Sequence, residues 1–342
     1  MAKKDRPTVR DVAREAGVSI ATVSRALSRP DDVNEKTRSK VRAVVERTGY
    51  RANRAAVEFR RGGSHTLLVL VSDITNAFFA EFFKGIEEEA RSAGYVVLIG
   101  DTSENADNER VYSDMLLTRQ AGGLILNTYG IPEDLLPERG GGPYTGPPVV
   151  SCSGHKEIDL PCVLIDDALG GRLAGEHLVG LGHRDIAQVC GPLQVHGFER
   201  RYFGFCHALK SAGLPLAPMR NLIGEPGTAY GEETARVLMR MDPMPTAVFV
   251  HNDETAVGLM HGLKKLNVRV PEDISVVGYD DMPYASVFNP ELTTLHLPRR
   301  RWGRLACRML ISILDPEANV ETSVIIPPEL IVRRSTARRV SE

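Results

Sequence analysis

Residues 8–29, TVRDVAREAGVSIATVSRALSR, decide the fold of the amino-terminal part of this chain. Val9, Val12, Ala13 and Ala16 recur at helical spacing, and Thr8 with Asp11 three residues on forms the capping-box pattern that opens a helix. Gly17 ends that helix, because a glycine enters the left-handed region at no steric cost. Ser19 then stands where it can cap a second helix running through Thr22, Val23, Ala26 and Leu27. Two short helices joined by a sharp turn read as a helix-turn-helix unit.

Packing Val23, Ala26 and Leu27 inward leaves Ile20, Ala21, Ser24 and Arg25 on the outer face of the second helix. These side chains suit a DNA groove. Arg25 can donate two hydrogen bonds to guanine, Ile20 and Ala21 can touch a thymine methyl, and Thr22 and Ser24 can bind phosphate. An ordinary helical hairpin with a solvated arginine is the alternative. A third helix is expected from Glu35 to Arg47, capped by Asn34, burying Val41, Val44 and Val45 and stopped by Gly49.

Charge divides the chain in the same place. Residues 1–61 carry 16 Lys or Arg against 8 Asp or Glu, and the remainder 26 against 36, within a net charge of −2. A basic module on an acidic body implies a polyanionic partner for one end only. Residues 50–61, YRANRAAVEFRR, form a basic connector with helical propensity and too few apolar residues to fold alone. Such a segment can turn helical when phosphates neutralise its arginines, or serve as a passive tether.

At 342 residues with 42% apolar content, the chain can hold two or three domains with sizeable cores. No stretch approaches eighteen uninterrupted apolar residues and MAKKDRPTVR lacks the apolar core of a signal peptide, so a cytoplasmic protein without membrane contact is expected. Cys152, Cys162, Cys190, Cys206 and Cys307 are odd in number and form no C-x-x-C pair, which disfavours a disulfide framework and structural zinc.

Beyond Ser64, short apolar runs alternate with amphipathic helical segments: TLLVLVS, YVVLIGD, GGLILN, PVVSC and CVLID, then DIAQVCG, TAVFVHND and ISVVGYDD. That alternation predicts two α/β lobes with parallel sheets. Ser72, Asp73, Asp101, Asn127, Asp166, Asp167, Asn252, Asp253, Asp280 and Asp281 directly follow these runs. Ligands of open α/β sheets bind at the carboxyl ends of the strands, and repeated Asp and Asn there suit a hydroxyl-rich molecule, with Phe78 and Phe79 as a flat surface for its ring. Loop capping is the other reading for each single carboxylate, and His251 is either a ligand contact or structural. The chain contains no G-x-x-x-x-G-K-[ST], H-E-x-x-H or G-x-S-x-G, and no G-x-G-x-x-G after the first strand. We therefore expect no enzyme, no cofactor and no metal.

From Thr8 to about Ser335 the chain closely resembles the LacI/GalR family of bacterial transcription regulators. The most specific pieces are VSIATVSRAL (18–27), DITNAFFAEFFKGIEEEA (73–90), HLVGLGHRDIAQVCGP (177–192), RRYFGF (200–205), PTAVFVHNDETAVG (245–258), VRVPEDISVVGYDD (268–281) and PELTTLHLP (290–298). PDDVNEKTR (30–38) and GYVVLIGD (94–101) are most similar to the cytidine-repressor and purine-repressor branch. The resemblance implies a small all-α helix-turn-helix domain over 7–51 and a hinge helix over 52–63. After these comes a two-lobed, periplasmic-binding-protein-like effector domain over 64–336. Its first lobe covers about 64–166 and 296–326, its second about 167–295 and 327–336.

The resemblance also implies site residues. On double-stranded operator DNA these are Thr8, Ser19, Ile20, Ala21, Thr22, Ser24, Arg25, Asn34 and Tyr50, joined in the connector by Asn53, Ala56, Phe59 and Arg60. Phe59 stands where the family inserts a leucine wedge into the minor groove. Ala52 in place of the usual proline, the charge of Glu58 and the bulk of Phe59 depart from the pattern. For a nucleoside or sugar effector the implied contacts are Phe78, Phe79, Asp166, Arg201, Asn252, Asp253 and Asp280. Val195 and Gly197 replace polar residues of purine repressors and argue against a purine, while Ser153 leaves the ring type open. RRSTARRVSE has no heptad pattern, so a homodimer on a near-palindromic operator is expected. The rival classes on the same scaffold are a transport solute-binding protein, which needs export and gains nothing from residues 1–61, and an enzyme, for which the sequence offers no nucleophile or base constellation.

Replacing Arg25 with Ala is expected to relax preference at one base pair per half-site, at a cost of about 1–3 kcal/mol. Selection of binding sites from a random DNA pool measures this, and an unchanged consensus would remove Arg25 from base readout.

Overall fold

The computed structural model describes residues 7–50, 64–136, 144–155, 158–214, 220–319 and 321–339. They fall into two compact units, one ending at Ser64 and one beginning at His65. The connector over 52–63, with Ala52, Asn53, Ala56, Glu58, Phe59 and Arg60, lies outside the described residues.

The first unit holds α1 (Val9–Ala16), α2 (Ile20–Ser28) and α3 (Glu35–Thr48). The capping box forms in both directions: Thr8 Oγ1 accepts from the Asp11 amide at 3.3 Å, and Asp11 Oδ2 from the Thr8 amide at 2.9 Å. Gly17 takes φ 65° and ends α1; Ser19 Oγ accepts from the Thr22 amide at 3.1 Å and starts α2. Asn34 caps α3 in the same way, through the Thr37 amide at 2.9 Å. Val12, Ala13, Ala16, Val23, Ala26, Val41 and Val44 close the core, with Val45 only partly buried against it. Leu27 corrects its expected place. It is 41% exposed, because it sits at the carboxyl end of α2 and the small side chains of Val23 and Ala26 already complete the contact with α1 and α3.

The second unit alternates strand and helix. Its first part is β1 (Thr66–Val71), α4 (Phe79–Ser92), β2 (Val96–Asp101), α5 (Ala106–Leu117), β3 (Gly123–Asn127), β4 (Val149–Ser151) and β5 (Cys162–Ile165). There follow α6 (Asp167–Gly180), β6 (Ile186–Cys190), α7 (His196–Ser211), β7 (Asn221–Ile223), α8 (Thr228–Leu238), β8 (Ala247–Val250), α9 (Asp253–Lys265) and β9 (Ser275–Val277). The chain ends with β10 (Thr294–His296), α10 (Arg299–Leu314), β11 (Ser323–Ile326) and β12 (Glu329–Ile331). All eight apolar runs read from the sequence are strands. The remaining four, β7 and β10–β12, each begin on a polar or charged residue and lie outside those runs.

Two parallel sheets result, ordered β11-β5-β4-β3-β1-β2 and β7-β6-β8-β9, with an antiparallel β10-β12 pair beside them. In the first sheet β1 lies between β2 and β3, so successive crossovers leave it in opposite directions. In the second, β6 lies between β7 and β8 in the same way. A crevice opens at such a switch point, outside the carboxyl ends of the strands. Ser72 and Asn127 flank the first crevice; Val195 and Asn252 flank the second.

Three helix pairs cover these sheets, and in each a glycine from either helix presses on the backbone of the other. A Cβ on Gly85 would lie 2.0 Å from the Arg300 carbonyl oxygen, and one on Gly303 2.1 Å from that of Phe82. Gly171 and Gly204 stand in the same relation to Arg201 (2.1 Å) and Ala168 (2.0 Å), and Gly231 and Gly258 to Thr255 (2.1 Å) and Thr228 (2.0 Å). The pairs α4–α10, α6–α7 and α8–α9 therefore touch backbone to backbone, which sets the position of the residues at their ends.

Replacing Gly171 with Ala should cost roughly 1–3 kcal/mol in urea unfolding, because a carbonyl cannot yield as a side chain can. Gly180→Ala in the same helix, where nothing lies within 4 Å of the added carbon, should be neutral or slightly stabilising. Equal effects would contradict the close contact.

Candidate functional site

On the first unit, Ile20, Ala21 and Arg25 are exposed side by side on α2, and Arg25 forms no ion pair among the described residues. The other predicted DNA contacts are less free. The Thr22 hydroxyl lies 2.9 Å from that of Ser19, the Thr8 hydroxyl donates to Asp11 at 2.7 Å, and the Asn34 side-chain oxygen is spent on its cap. Ser24 is half-buried, and Tyr50 is half-buried against the core. Ile20, Ala21 and Arg25 thus form an apolar pair beside one cation, suited to a methyl group and a guanine edge.

On the second unit the two switch points face a cleft of about 150 Å³. Phe78, Phe79, Phe198 and Trp302 supply its aromatic walls; Asn127, Asp167, Arg201, Asn252 and Asp280 supply its polar ones. Trp302 is held by its indole N–H, which donates to the Val163 carbonyl at 2.7 Å, and packs tilted on Phe82 with ring centroids 4.8 Å apart.

Arg201 is fixed on several sides. Its Nε donates to Asp167 Oδ1 at 2.8 Å, its Nη1 to the His251 carbonyl at 2.5 Å, and its guanidinium carbon stands 3.8 Å from the centre of the Tyr279 ring. Tyr279, wholly buried, donates its own hydroxyl to the same Asp167 oxygen at 2.7 Å. Burial works against the charge of Arg201, but the carboxylate of Asp167, with Tyr279 and Asp280, holds its pKa above the usual range. Beneath it, burial and the Arg201 charge keep His251 neutral, its Nε2 3.1 Å from Gln188 Oε1.

Asp280 follows β9 with φ 113°, and Asp281 with φ 52°, two successive non-glycine residues in the left-handed half of conformational space. Such strain persists only where the surroundings enforce it. Arg299, itself buried, does so: Nη1 donates to the Asp280 carbonyl at 3.0 Å and Nη2 to that of Asp281 at 3.2 Å. Burial pushes the Asp280 carboxyl up to about 8; Arg201 lowers it, and the neighbouring Asp253 raises it further.

Two predicted effector residues do not line the cleft. Asp166 turns back to cap α6, accepting from the Leu169 amide at 3.0 Å. Asp253 is fully buried below the cleft, where it accepts from Thr294 Oγ1 at 2.6 Å and the Met282 amide at 2.7 Å. Asp167 and Asn127, expected only as members of the strand-end set, line the cleft, and so does Trp302, which the sequence did not single out. In Asp166–Asp167 the first residue is the cap and the second faces the cleft, a division that the capping rule could have supplied. Asn127 ended a predicted strand, and among the described residues its buried side-chain nitrogen has no hydrogen-bond partner. Nothing in the local sequence placed Trp302.

A three-helix unit with an exposed reader face, followed by a body whose two parallel sheets open on a polar, aromatic-walled cleft, defines a DNA-binding protein that carries a ligand-binding body. Residues 8–53 match the family of bacterial regulatory proteins, lacI family, and residues 176–336 the periplasmic binding protein-like domain. The HTH-type transcriptional repressor CytR of Escherichia coli (strain K12) is 34% identical over 330 residues, 96% of each chain. The Lac repressor dimer, solved bound to operator and the anti-inducer ONPF, superposes with a TM-score of 0.85 at 27% identity over 97% of this chain and all of that one. A LacI family regulator from Enterococcus faecium with bound ribose superposes at 0.70, with 30% identity over 80% of this chain and all of that one. The chain belongs to the LacI family and is a DNA-binding, effector-regulated transcription regulator. Among the described residues no helix is long and apolar enough to cross a membrane.

The raised Asp280 carboxyl has a measurable consequence. The folded state holds this proton more tightly than the unfolded chain, where the group titrates near about 4, so its contribution destabilises the fold as pH rises from about 4 to about 8 and is constant above. Asp280→Asn should therefore be more stable than the parent, by an amount that grows over that window to a few kcal/mol. Urea unfolding at several pH values tests this, and a pH-independent difference would place the shift elsewhere.

Proposed function

We propose that this chain is a transcriptional repressor that binds a near-palindromic operator as a homodimer, with its affinity set by a nucleoside or sugar in the cleft. The observation that carries the effector class is the facing of Asp280 and Arg201 with Phe78 and Trp302 in one small cavity. A carboxyl and a guanidinium can each engage ring hydroxyls while an apolar ring face lies on the aromatic wall. The ribose bound by the Enterococcus faecium regulator supports the same chemistry. Phe79, Asn252 and the unpaired Asn127 nitrogen complete the contacting set, and Asp166 and Asp253 support it from outside the cavity.

The homodimer reading rests on a face that needs covering. β2 is an edge strand, and Val96, Leu98 and Ile99 on it, with Val111 and Leu117 on α5, are 41–61% exposed. An apolar sheet edge invites another chain, and a two-fold partner would cover it with the same surface. Two copies then present two reader helices to two half-sites, with Asn53, Ala56, Phe59 and Arg60 of the connectors reaching the DNA between them. Ligand that changes the relation of the two lobes alters the spacing of the connectors, and a coupling of roughly 1–3 kcal/mol corresponds to a 5- to 150-fold change in operator affinity.

Fluorescence anisotropy with an operator obtained by site selection tests the whole reading. Affinity should fall on the order of a thousandfold between about 50 and 200 mM salt if six or more phosphates are engaged, and one neutral sugar or nucleoside should shift it by the factor above. Leu98→Glu should yield monomers in sedimentation and lose operator affinity. A monomeric parent that binds operator with full affinity would refute the dimer.

A further inference from the structure

We propose that Asp167 acts as a resident anion that bars phosphate and carboxylate groups from the cleft, so that the molecule sensed is an unphosphorylated sugar or nucleoside and not its phosphate ester or acid. This inference rests on the reading of the cleft as the effector site.

The amino end of α7 and Arg201, one turn further on, together form a ready anion site. Val195, Gly197 and Phe198 line the cleft there, and among the described residues no side chain caps the α7 amino terminus at Val195, which brings the positive end of the helix to the cavity. Asp167 already fills that corner. A Cβ on Gly197 would stand 3.1 Å from Asp167 Oδ2, while Asp167 Oδ1 accepts from Arg201 Nε and the Tyr279 hydroxyl. One carboxylate thus stands beside Gly197 at the helix end with one oxygen and holds the guanidinium with the other.

What remains for a ligand is poor in positive charge. Among the described residues lining the cleft, Arg201 is the one basic side chain. With Nε on Asp167 and one Nη1 N–H on the His251 carbonyl, the side-on pair that Nε would form with Nη2 is not available to a phosphate or carboxylate. The N–H groups left on Nη1 and Nη2 suit hydroxyls. Three further helix ends at the cleft are also spent: Asp166 caps α6, Asn252 accepts from the Thr255 amide at 3.1 Å to cap α9, and ahead of α4 the Asn76 side-chain oxygen takes the Phe78 amide at 2.9 Å while the Asn76 and Ala77 carbonyls take those of Phe79 and Ala80. Asp280 adds a second carboxyl with no hydrogen-bond donor among the described residues. Asp73, Glu104 and Glu225 act electrostatically on Tyr129 at the cleft wall, so the approach is acidic as well.

The test uses thermal unfolding of the full chain at constant ionic strength. Matched pairs are added at millimolar concentration: ribose and ribose 5-phosphate, glucose with glucose 6-phosphate and gluconate, cytidine and its 5′-monophosphate, and inorganic phosphate alone. For the parent chain no phosphorylated or carboxylated compound should raise the melting temperature. Asp167→Asn frees the Arg201 fork and the α7 end together, and should bind inorganic phosphate roughly 10- to 100-fold more tightly than the parent, a gain abolished by adding Arg201→Met. Asp280→Asn, which leaves the Asp167–Arg201 pair intact, should gain far less. Stabilisation of the parent by any anion in an Arg201-dependent manner would overturn the proposal, as would a folded Asp167→Asn chain that gains no phosphate binding. If Asp167→Asn fails to fold, Asp167→Ser takes its place with the same expectation. Should no neutral compound bind while the phosphate gain appears, the nucleoside-or-sugar reading fails and the role of Asp167 stands.

Discussion

Glycine against carbonyl is the contact on which the body of this protein depends. In α4–α10, α6–α7 and α8–α9, each helix contributes one glycine to the backbone of its partner, and no side chain separates them. Packing of this kind has no compliance, since a carbonyl cannot rotate away from an added methyl group. The pair α6–α7 carries this rigidity into the cleft. Gly171 rests on the carbonyl of Arg201 itself, so the contact that joins the helices also brings Arg201 to Asp167 at the amino end of α6.

From that position the electrostatics of the cleft follow. Asp167 holds the guanidinium and the Tyr279 hydroxyl at once, and Tyr279 lies flat beneath the arginine it helps to orient. Across the cleft, Arg299 holds the carbonyls of two strained residues and so fixes where the Asp280 carboxyl stands. Arg299 is buried and Arg201 half-buried, and both are held by protein groups, which leaves a cavity able to bind hydroxyls with little net charge. A buried carboxyl raised to about 8 costs stability, and such a cost is characteristic of positions kept for binding.

Much of this is legible in the chain, and unevenly. The capping residues Thr8, Ser19 and Asn34 act on their nearest neighbours, so three residues suffice to read them, and all three cap as expected. The eight apolar strands are legible because each lies within an apolar run of the sequence. Leu27 departs from expectation because helical periodicity gives a direction for a side chain and not the extent of the surface it meets. Asp253 and Asp280 illustrate the same limit at the site. Both follow a strand and both are acidic, yet one is sealed under the cleft by Thr294 and Met282 while the other lines it.

Taken alone, the sequence determined that a basic helix-turn-helix module precedes an α/β body and that polar residues gather at strand ends. These properties depend on local spacing, capping and charge, which survive in a linear reading. Only the tertiary structure decided that Asp280 lines the cleft while Asp253 is sealed beneath it, that Asp167 pairs with Arg201, and that Trp302 joins a wall with Phe78 some two hundred residues away. Those assignments depend on how closely two helices approach and where two sheets reverse direction, and neither quantity is carried by any one stretch of chain.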